Sequence, residues 1–265
     1  VEIVILTSAD EVGAYAARVV ARLLREKPGA VLGLPTGSTP RPFYAELARR
    51  HRDEGLSFAH ATTFNLDEFV GVPPDHPGSF RRYIEEALVR QVDLPPERVH
   101  VPDGMGADLP RGCAEYEAAI AAAGGLDLVL LGIGKDGHLA FNEPTSSLGS
   151  RTRIKTLSER SRAAHQAAFG GASAGPDAVP RHVITVGIAT ILEARRCLLL
   201  ATGAGKAAAL AQAVEGPLTS MVPASALQLH PRATVLADEA AASSLALADY
   251  YRAVFAGKPA WQREE

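Results

Sequence analysis

The sequence predicts an α/β domain with a mostly parallel central sheet buried on both faces. Three observations carry that prediction. Apolar segments alternate with amphipathic ones along the 265 residues, strand then helix, with no long linker between them. The strand segments are continuous apolar runs, such as Leu126 to Leu131 and Cys197 to Ala201, and do not alternate apolar with polar. Strand ends run into glycine-, serine- or threonine-bearing turns that open the next helix. The length suits one domain over residues 1–265, and no solenoid-like repeat is present.

Val1 to Leu6 is a short β-branched strand. Ser8 and Glu11 have capping-box spacing, and Val12, Ala16, Val19, Val20, Leu23 and Leu24 recur at helical spacing until Lys27-Pro28-Gly29 closes the helix. Ala30 to Pro35 is a second strand, running into Thr36-Gly37-Ser38-Thr39-Pro40 and a helix that ends near Arg50. That turn has two readings: an anion site at a helix N-terminus, or a plain β–α turn with Thr39 as N-cap and Pro40 at N1. Ala61 to Leu66 is a third strand, delivering Asp67 and Glu68 at its C-terminal end. These two read as a general base with its neighbour, or as solvated loop charges. A helix follows from Ser79 to Arg90, a short strand from Val99 to Pro102 and a helix from Asp108 to Ala123.

The apolar run to Leu131 breaks at Gly132, Gly134 and Gly137, and the turn places Asp136, His138 and Glu143 within eight residues. Ser146 to Lys155 carries an alternating basic cluster, Ser158 to Phe169 reads as a helix, and Gly170 to Pro180 as a mobile Gly/Ala/Pro loop. Strands at Val183 to Val186 and Cys197 to Ala201 flank a short helix, Ile188 to Ala194. Thr202 to Lys206 opens an alanine-rich helix. Pro223 to Leu229 is a short helix or turn, Ala233 to Ala237 a last strand and Glu239 to Phe255 a last helix.

The bulk numbers exclude several function classes. A net charge of -3 with scattered arginines leaves no footprint for nucleic acid or an anionic membrane. The N-terminus shows no basic n-region or long apolar h-region, and no window is long enough to span a bilayer, which predicts a cytosolic protein. Cys113 and Cys197 sit in apolar stretches with no CxxC, so they read as buried thiols in a reducing compartment. Two motifs are decoys. Gly132-Ile-Gly134-Lys-Asp-Gly137 matches G-x-G-x-x-G, but Pro144 bars the helix a dinucleotide fingerprint needs at its third glycine. Gly205-Lys206 ends like a Walker A loop, yet Leu200 stands where its first glycine belongs and Ala207 where Ser or Thr belongs. Lys206 at a helix start remains suited to hold a phosphate as a point charge.

In an open α/β sheet the strand C-termini share one crevice. Asp67, the Asp136/His138/Glu143 turn, Thr36 to Thr39 and Lys206 therefore converge on one small phosphorylated ligand. His138 between carboxylates suits proton transfer near neutral pH, against a structural histidine as the bland alternative. A metal site from Asp136, His138 and Glu143 lacks a second histidine at ligand spacing, and no metal is expected.

The chain resembles the glucosamine-6-phosphate deaminases. The motifs are GLPTGSTP at 33–40, TFNLDEFVG at 63–71 and LGIGKDGHLAFNEP at 131–144, supported by SSLGSRTRIKTL at 146–157, GK at 205–206 and LQLHP at 227–231. The resemblance implies a three-layer, modified Rossmann-like fold. It implies conversion of glucosamine 6-phosphate and water to fructose 6-phosphate and ammonia, with no metal or redox cofactor. It assigns ring opening to His138, oriented by Asp136 and Glu143, and C2–C1 proton transfer to Asp67. It gives the phosphate to Thr36, Gly37, Ser38, Thr39 and Lys206. Some members are hexamers activated by N-acetylglucosamine 6-phosphate at an inter-subunit site, and Ser146, Ser147, Arg153 and Lys155 match part of that site. The chain departs from the family at Ala167, where a substrate-binding arginine is expected, with Arg162 or Arg181 as alternatives. That departure leaves galactosamine 6-phosphate open as the substrate. Glu143, in the FNEP ending, separates the motif from the 6-phosphogluconolactonases of the same fold, and no helix-turn-helix accompanies it as in a sugar-phosphate sensor.

Overall fold

The computed structural model describes residues 1–171, 175, 177–259 and 262. Residues 172–174 and 176 of the predicted mobile loop lie outside the described residues. In chain order the elements are β1 (Glu2–Leu6), α1 (Ala9–Glu26), β2 (Val31–Leu34), α2 (Arg41–Glu54), β3 (Thr62–Asn65), β4 (Asp67–Phe69), α3 (Phe80–Ala87), β5 (Val99–His100), α4 (Leu109–Ala122) and β6 (Leu128–Gly132). They continue with β7 (Arg153–Thr156), α5 (Glu159–His165), β8 (His182–Thr185), α6 (Ile188–Leu192), β9 (Cys197–Ala201), α7 (Ala207–Val214), β10 (Ala233–Asp238), α8 (Glu239–Ala242) and α9 (Ala248–Ala256).

Seven strands form one sheet in the order β1-β10-β9-β6-β2-β3-β5, every pairing parallel. The continuous apolar runs are explained by burial on both faces. Leu32, Leu128, Leu130, Leu198 and Leu236 pack on one side against α1 and α2 residues such as Val20, Phe43 and Leu47. Val129, Leu131, Leu199 and Val235 pack on the other with Ile120, Ile191 and Leu210. The helix starts follow local chemistry. Ser8 accepts the Glu11 amide at 3.2 Å while the Glu11 carboxylate takes the Thr7 amide at 3.0 Å. Both cysteines are free and buried.

Three features differ from the expectation. First, β3 ends at Asn65, and a second strand, β4, follows Leu66 where a loop was expected. The Leu66 amide still donates to Leu34 of the large sheet (3.2 Å), but its carbonyl accepts from Val186 (2.7 Å). This one residue passes the chain into a second, antiparallel sheet, β4-β8-β7, where Asp67 pairs with Thr185. The Val183 to Val186 strand belongs to this small sheet. Second, α2 starts at Arg41 with Pro40 as N-cap and no side-chain cap, so Thr39 stays in the turn. Third, the last helix is broken into α8 and α9, because Glu215 captures the amides of Ala246 and Leu247 at 2.8 and 2.9 Å.

Candidate active site

The strand order places the candidate residues together. β9, β6, β2 and β3 are consecutive neighbours in the sheet. Their C-terminal ends lead to Lys206, to Asp136 and His138, to Thr36–Thr39 and to Asp67, in that order across the sheet. Parallel strands lie about 4.8 Å apart, so groups scattered over 170 positions of sequence come to one edge of the sheet. The chain direction along the sheet reverses between β2 and β6, the switch point where open α/β sheets bind ligands.

The turn after β6 is built around His138. A side chain at Gly134 would put its Cβ 2.2 Å from the His138 ring, and the Gly134 amide donates to the His138 carbonyl at 3.0 Å. Gly137 has φ +79°, which glycine adopts without strain. The glycines therefore shape a pocket for an imidazole, and no helix follows them. Asp136 Oδ1 lies 2.6 Å from His138 Nδ1. The His138 contact holds the Asp136 carboxyl down at about 2, so it remains a carboxylate throughout the neutral range. Glu143 is placed differently from the expectation. Its carboxylate accepts the Ser158 amide and the hydroxyls of Ser158 and Ser161, and none of its hydrogen bonds goes to His138. It fastens the start of α5 to the turn after β6. His165, at the end of α5, packs its ring against Phe69 and Phe141 (5.5 and 5.3 Å) and is pushed down by burial.

Asp67 is 6% exposed, and its Oδ1 has no hydrogen-bond partner among the described residues. The same holds for Thr63 Oγ1 and both side-chain polar atoms of Asn65. Burial, then the neighbouring Glu68 charge, pushes the Asp67 carboxyl up to about 8. A buried carboxyl without partners is costly to the fold and suited to take a proton near neutral pH.

Gly37 has φ +104°, and its turn is braced from behind. The Tyr83 hydroxyl donates to the Gly37 carbonyl at 2.7 Å, and Tyr44 to the Pro35 carbonyl at 2.6 Å. No amide of Gly37, Ser38 or Thr39 donates to another described residue. Lys206 is pushed down by burial and then by Lys135, with Asp136 acting against this and Arg160 adding to it. Arg162 and Arg181 are both turned to Asp177 (3.2 and 3.1 Å), and Ala167 is exposed. Of the matched effector positions, Ser146 is buried, its hydroxyl without a partner among the described residues, and Arg153 donates to Asn142 Oδ1 at 2.9 Å. Ser147 accepts the amides of Gly149 and Ser150 through its hydroxyl and carbonyl, and Lys155 pairs with Val183 in the small sheet. Sequence reasoning missed Lys135, Arg160 and Tyr83. Lys135 sits inside the LGIGKDGHLAFNEP motif and is visible there; the other two depend on long-range packing. Among the described residues no group of three or more His, Cys, Asp or Glu is arranged for a metal, and no helix is long and apolar enough to cross a membrane.

Comparison with known proteins bears on this arrangement. Residues 7–236 match the family model described as glucosamine-6-phosphate isomerases/6-phosphogluconolactonase. A glucosamine-6-phosphate deaminase of Arthrobacter sp. (strain FB24) is 54% identical over 98% of this chain and 99% of its own. That of Streptomyces coelicolor is 51% identical with the same coverage. The solved structure of a monomeric glucosamine-6-phosphate deaminase superposes with a TM-score of 0.89 at 42% identity, over 92% of this chain and 100% of that one. A 6-phosphogluconolactonase from Trypanosoma brucei shares the fold alone, with a TM-score of 0.73 at 23% identity over 92% and 98%.

Proposed function

The chain belongs to the glucosamine-6-phosphate isomerase/6-phosphogluconolactonase family, and from that premise we propose how its crevice deaminates glucosamine 6-phosphate. The observation that carries the reading is the adjacency of four strand ends bearing a cation, an acid–histidine pair, a phosphate-sized turn and a buried base. Whole-length relatives at about half identity carry the deaminase name, which favours glucosamine over galactosamine 6-phosphate and a deaminase over a lactonase.

The substrate phosphate sits on the amides of Gly37, Ser38 and Thr39 and on Lys206, with Lys135 and Arg160 flanking. His138 passes a proton to the ring oxygen as the C1–O5 bond breaks and takes the C1 hydroxyl proton in return, giving the open-chain aldehyde. Asp136 holds the imidazole in register for this step. Asp67 takes the C2 proton; the electron pair moves through C1 to the carbonyl oxygen, which takes a proton from the substrate ammonium, forming an enolamine. Return of a proton to C1 leaves an iminium at C2. Water adds there, and ammonia leaves as the C2 ketone of fructose 6-phosphate forms. The substrate ammonium beside Asp67 favours its charged form, readying the base only when substrate is bound. Glu143 acts in this scheme by fixing α5 against the turn. The free, buried Cys113 and Cys197 fit a cytosolic setting.

Ammonia release tests the reading. Glucosamine 6-phosphate is expected to yield one ammonia per fructose 6-phosphate, well ahead of galactosamine 6-phosphate; release from neither contradicts it. Lys206→Met is expected to raise KM by roughly 10- to 100-fold with a smaller change in kcat, since a hydrogen bond to a charged group contributes about 1.5–3 kcal/mol; an unchanged KM removes Lys206 from the phosphate site. For the effector positions, N-acetylglucosamine 6-phosphate is expected to move the substrate saturation curve to lower concentration. Superimposable curves remove Ser146, Ser147, Arg153 and Lys155 from that role.

A further inference from the structure

Glu68, next to the base, is tied into the fold more fully than a solvated loop acid. It is 4% exposed, and its carboxylate accepts four hydrogen bonds. The donors are the amides of Phe69 (2.8 Å), Phe80 (3.1 Å) and Arg81 (2.9 Å) and the hydroxyl of Ser79 (2.9 Å). Three of them belong to the N-cap and first turn of α3, where helix amides lack internal partners and favour an anion. The same helix carries Tyr83, which donates to the Gly37 carbonyl in the phosphate turn at 2.7 Å. One short helix thus connects the strand that holds the base to the loop that holds the phosphate, through Glu68 at one end and Tyr83 a turn later.

The groups around Asp67 isolate the effect of Glu68. Tyr44 from α2 and Tyr116 from α4 both interact with Asp67, and burial holds both hydroxyls well above the usual tyrosine range, so they are neutral. Arg81 from α3 acts on Tyr116 and His100. Asp136 and His138, on the turn after β6, pair with each other. Glu68 is the charged group that acts on Asp67 among the described residues.

We infer that Glu68 is a positioning residue for the reaction: it locks β4 to α3 so that base and phosphate turn keep their separation, and it places a fixed negative charge beside Asp67. This rests on Asp67 being the base. The test is Glu68→Gln in the full chain, read as the pH dependence of kcat/KM for ammonia release. The acid limb is expected to move down by about one pH unit, since a like charge nearby raises a carboxyl's proton affinity by that order. At its optimum kcat is expected to fall about 10-fold while KM changes less than about 3-fold. Ser79→Ala removes one donor and keeps the charge, so it lowers Tm and leaves the limb in place. A folded Glu68→Gln with the parent's profile overturns the inference. Where Glu68→Gln does not fold, Glu68→Asp decides. It keeps the charge and shortens the brace, so kcat falls and the limb stays; an unchanged kcat overturns the inference. The two readings fail separately. Solvent exchange at C2 surviving in Asp67→Asn removes the base, whereas an unmoved limb in Glu68→Gln removes the role of Glu68 alone.

Discussion

Replacing Asp67 with asparagine is expected to abolish turnover and, at the same time, to stabilise the protein at neutral pH. The catalytic half follows from the chemistry. A general base contributes about 10²–10⁴-fold, and asparagine cannot accept the C2 proton. Solvent deuterium exchange at C2 is expected to vanish while the sugar phosphate still binds, because the proposed phosphate contacts lie in the turns after β2 and β9. Exchange at the parent rate in this variant contradicts the assignment.

The stability half follows from linkage. The Asp67 carboxyl stands at about 8 in the folded chain against an ordinary 3.8. Between those values the native state holds a proton that the unfolded chain releases, so stability falls as pH rises from about 4 to about 8. Asparagine is close in shape to the protonated acid and escapes this loss. Thermal unfolding is therefore expected to show a higher Tm for Asp67→Asn at pH 7, on the order of a few kcal/mol of stability, with the gap closing near pH 4. A gap that persists unchanged at pH 4 contradicts burial as its origin. The parent's kcat/KM is expected to rise with pH toward about 8, since that ratio reports the free enzyme's base.

The second large effect is at His138. His138→Gln is expected to lower kcat/KM by about 10²–10⁴-fold, because ring opening loses its proton donor. Binding of an open-chain competitor, 2-amino-2-deoxyglucitol 6-phosphate, is expected to stay within a few-fold of the parent. Loss of that binding as well makes His138 a scaffold residue in place of a catalyst. Asp136 is the proposed support for the same step. Its carboxyl is depressed to about 2 by His138, so the stability from this contact is present above about 4 and is lost as pH falls toward 2.

Much of this was legible in the sequence because it is local. Continuous apolar runs announce buried parallel strands, and Ser8 with Glu11 announces a helix start. The glycines around His138 announce an open turn, and the structure adds that Gly134 is required because the imidazole lies against it. What was hidden depends on pairings distant in sequence. Nothing local in Asp67-Glu68-Phe69 reveals that it pairs with Val183 to Thr185, which converts a strand-end acid into a buried one. Glu143 reads as a partner for His138 because it is near in sequence, but two serines at the start of α5 take its carboxylate. Arg162 and Arg181 read as stand-ins for the arginine missing at Ala167, yet both turn to Asp177, and Arg160 is the α5 arginine that acts on Lys206. Charge and type are visible in a sequence; the partner that decides their meaning is set by the fold.

The most direct measurement is a proton NMR time course of the purified chain with glucosamine 6-phosphate, run beside 6-phosphogluconolactone. The predicted result is fructose 6-phosphate appearing with an equal amount of ammonia, and lactone hydrolysis no faster than its spontaneous rate. Unchanged glucosamine 6-phosphate alongside accelerated lactone hydrolysis would contradict the account.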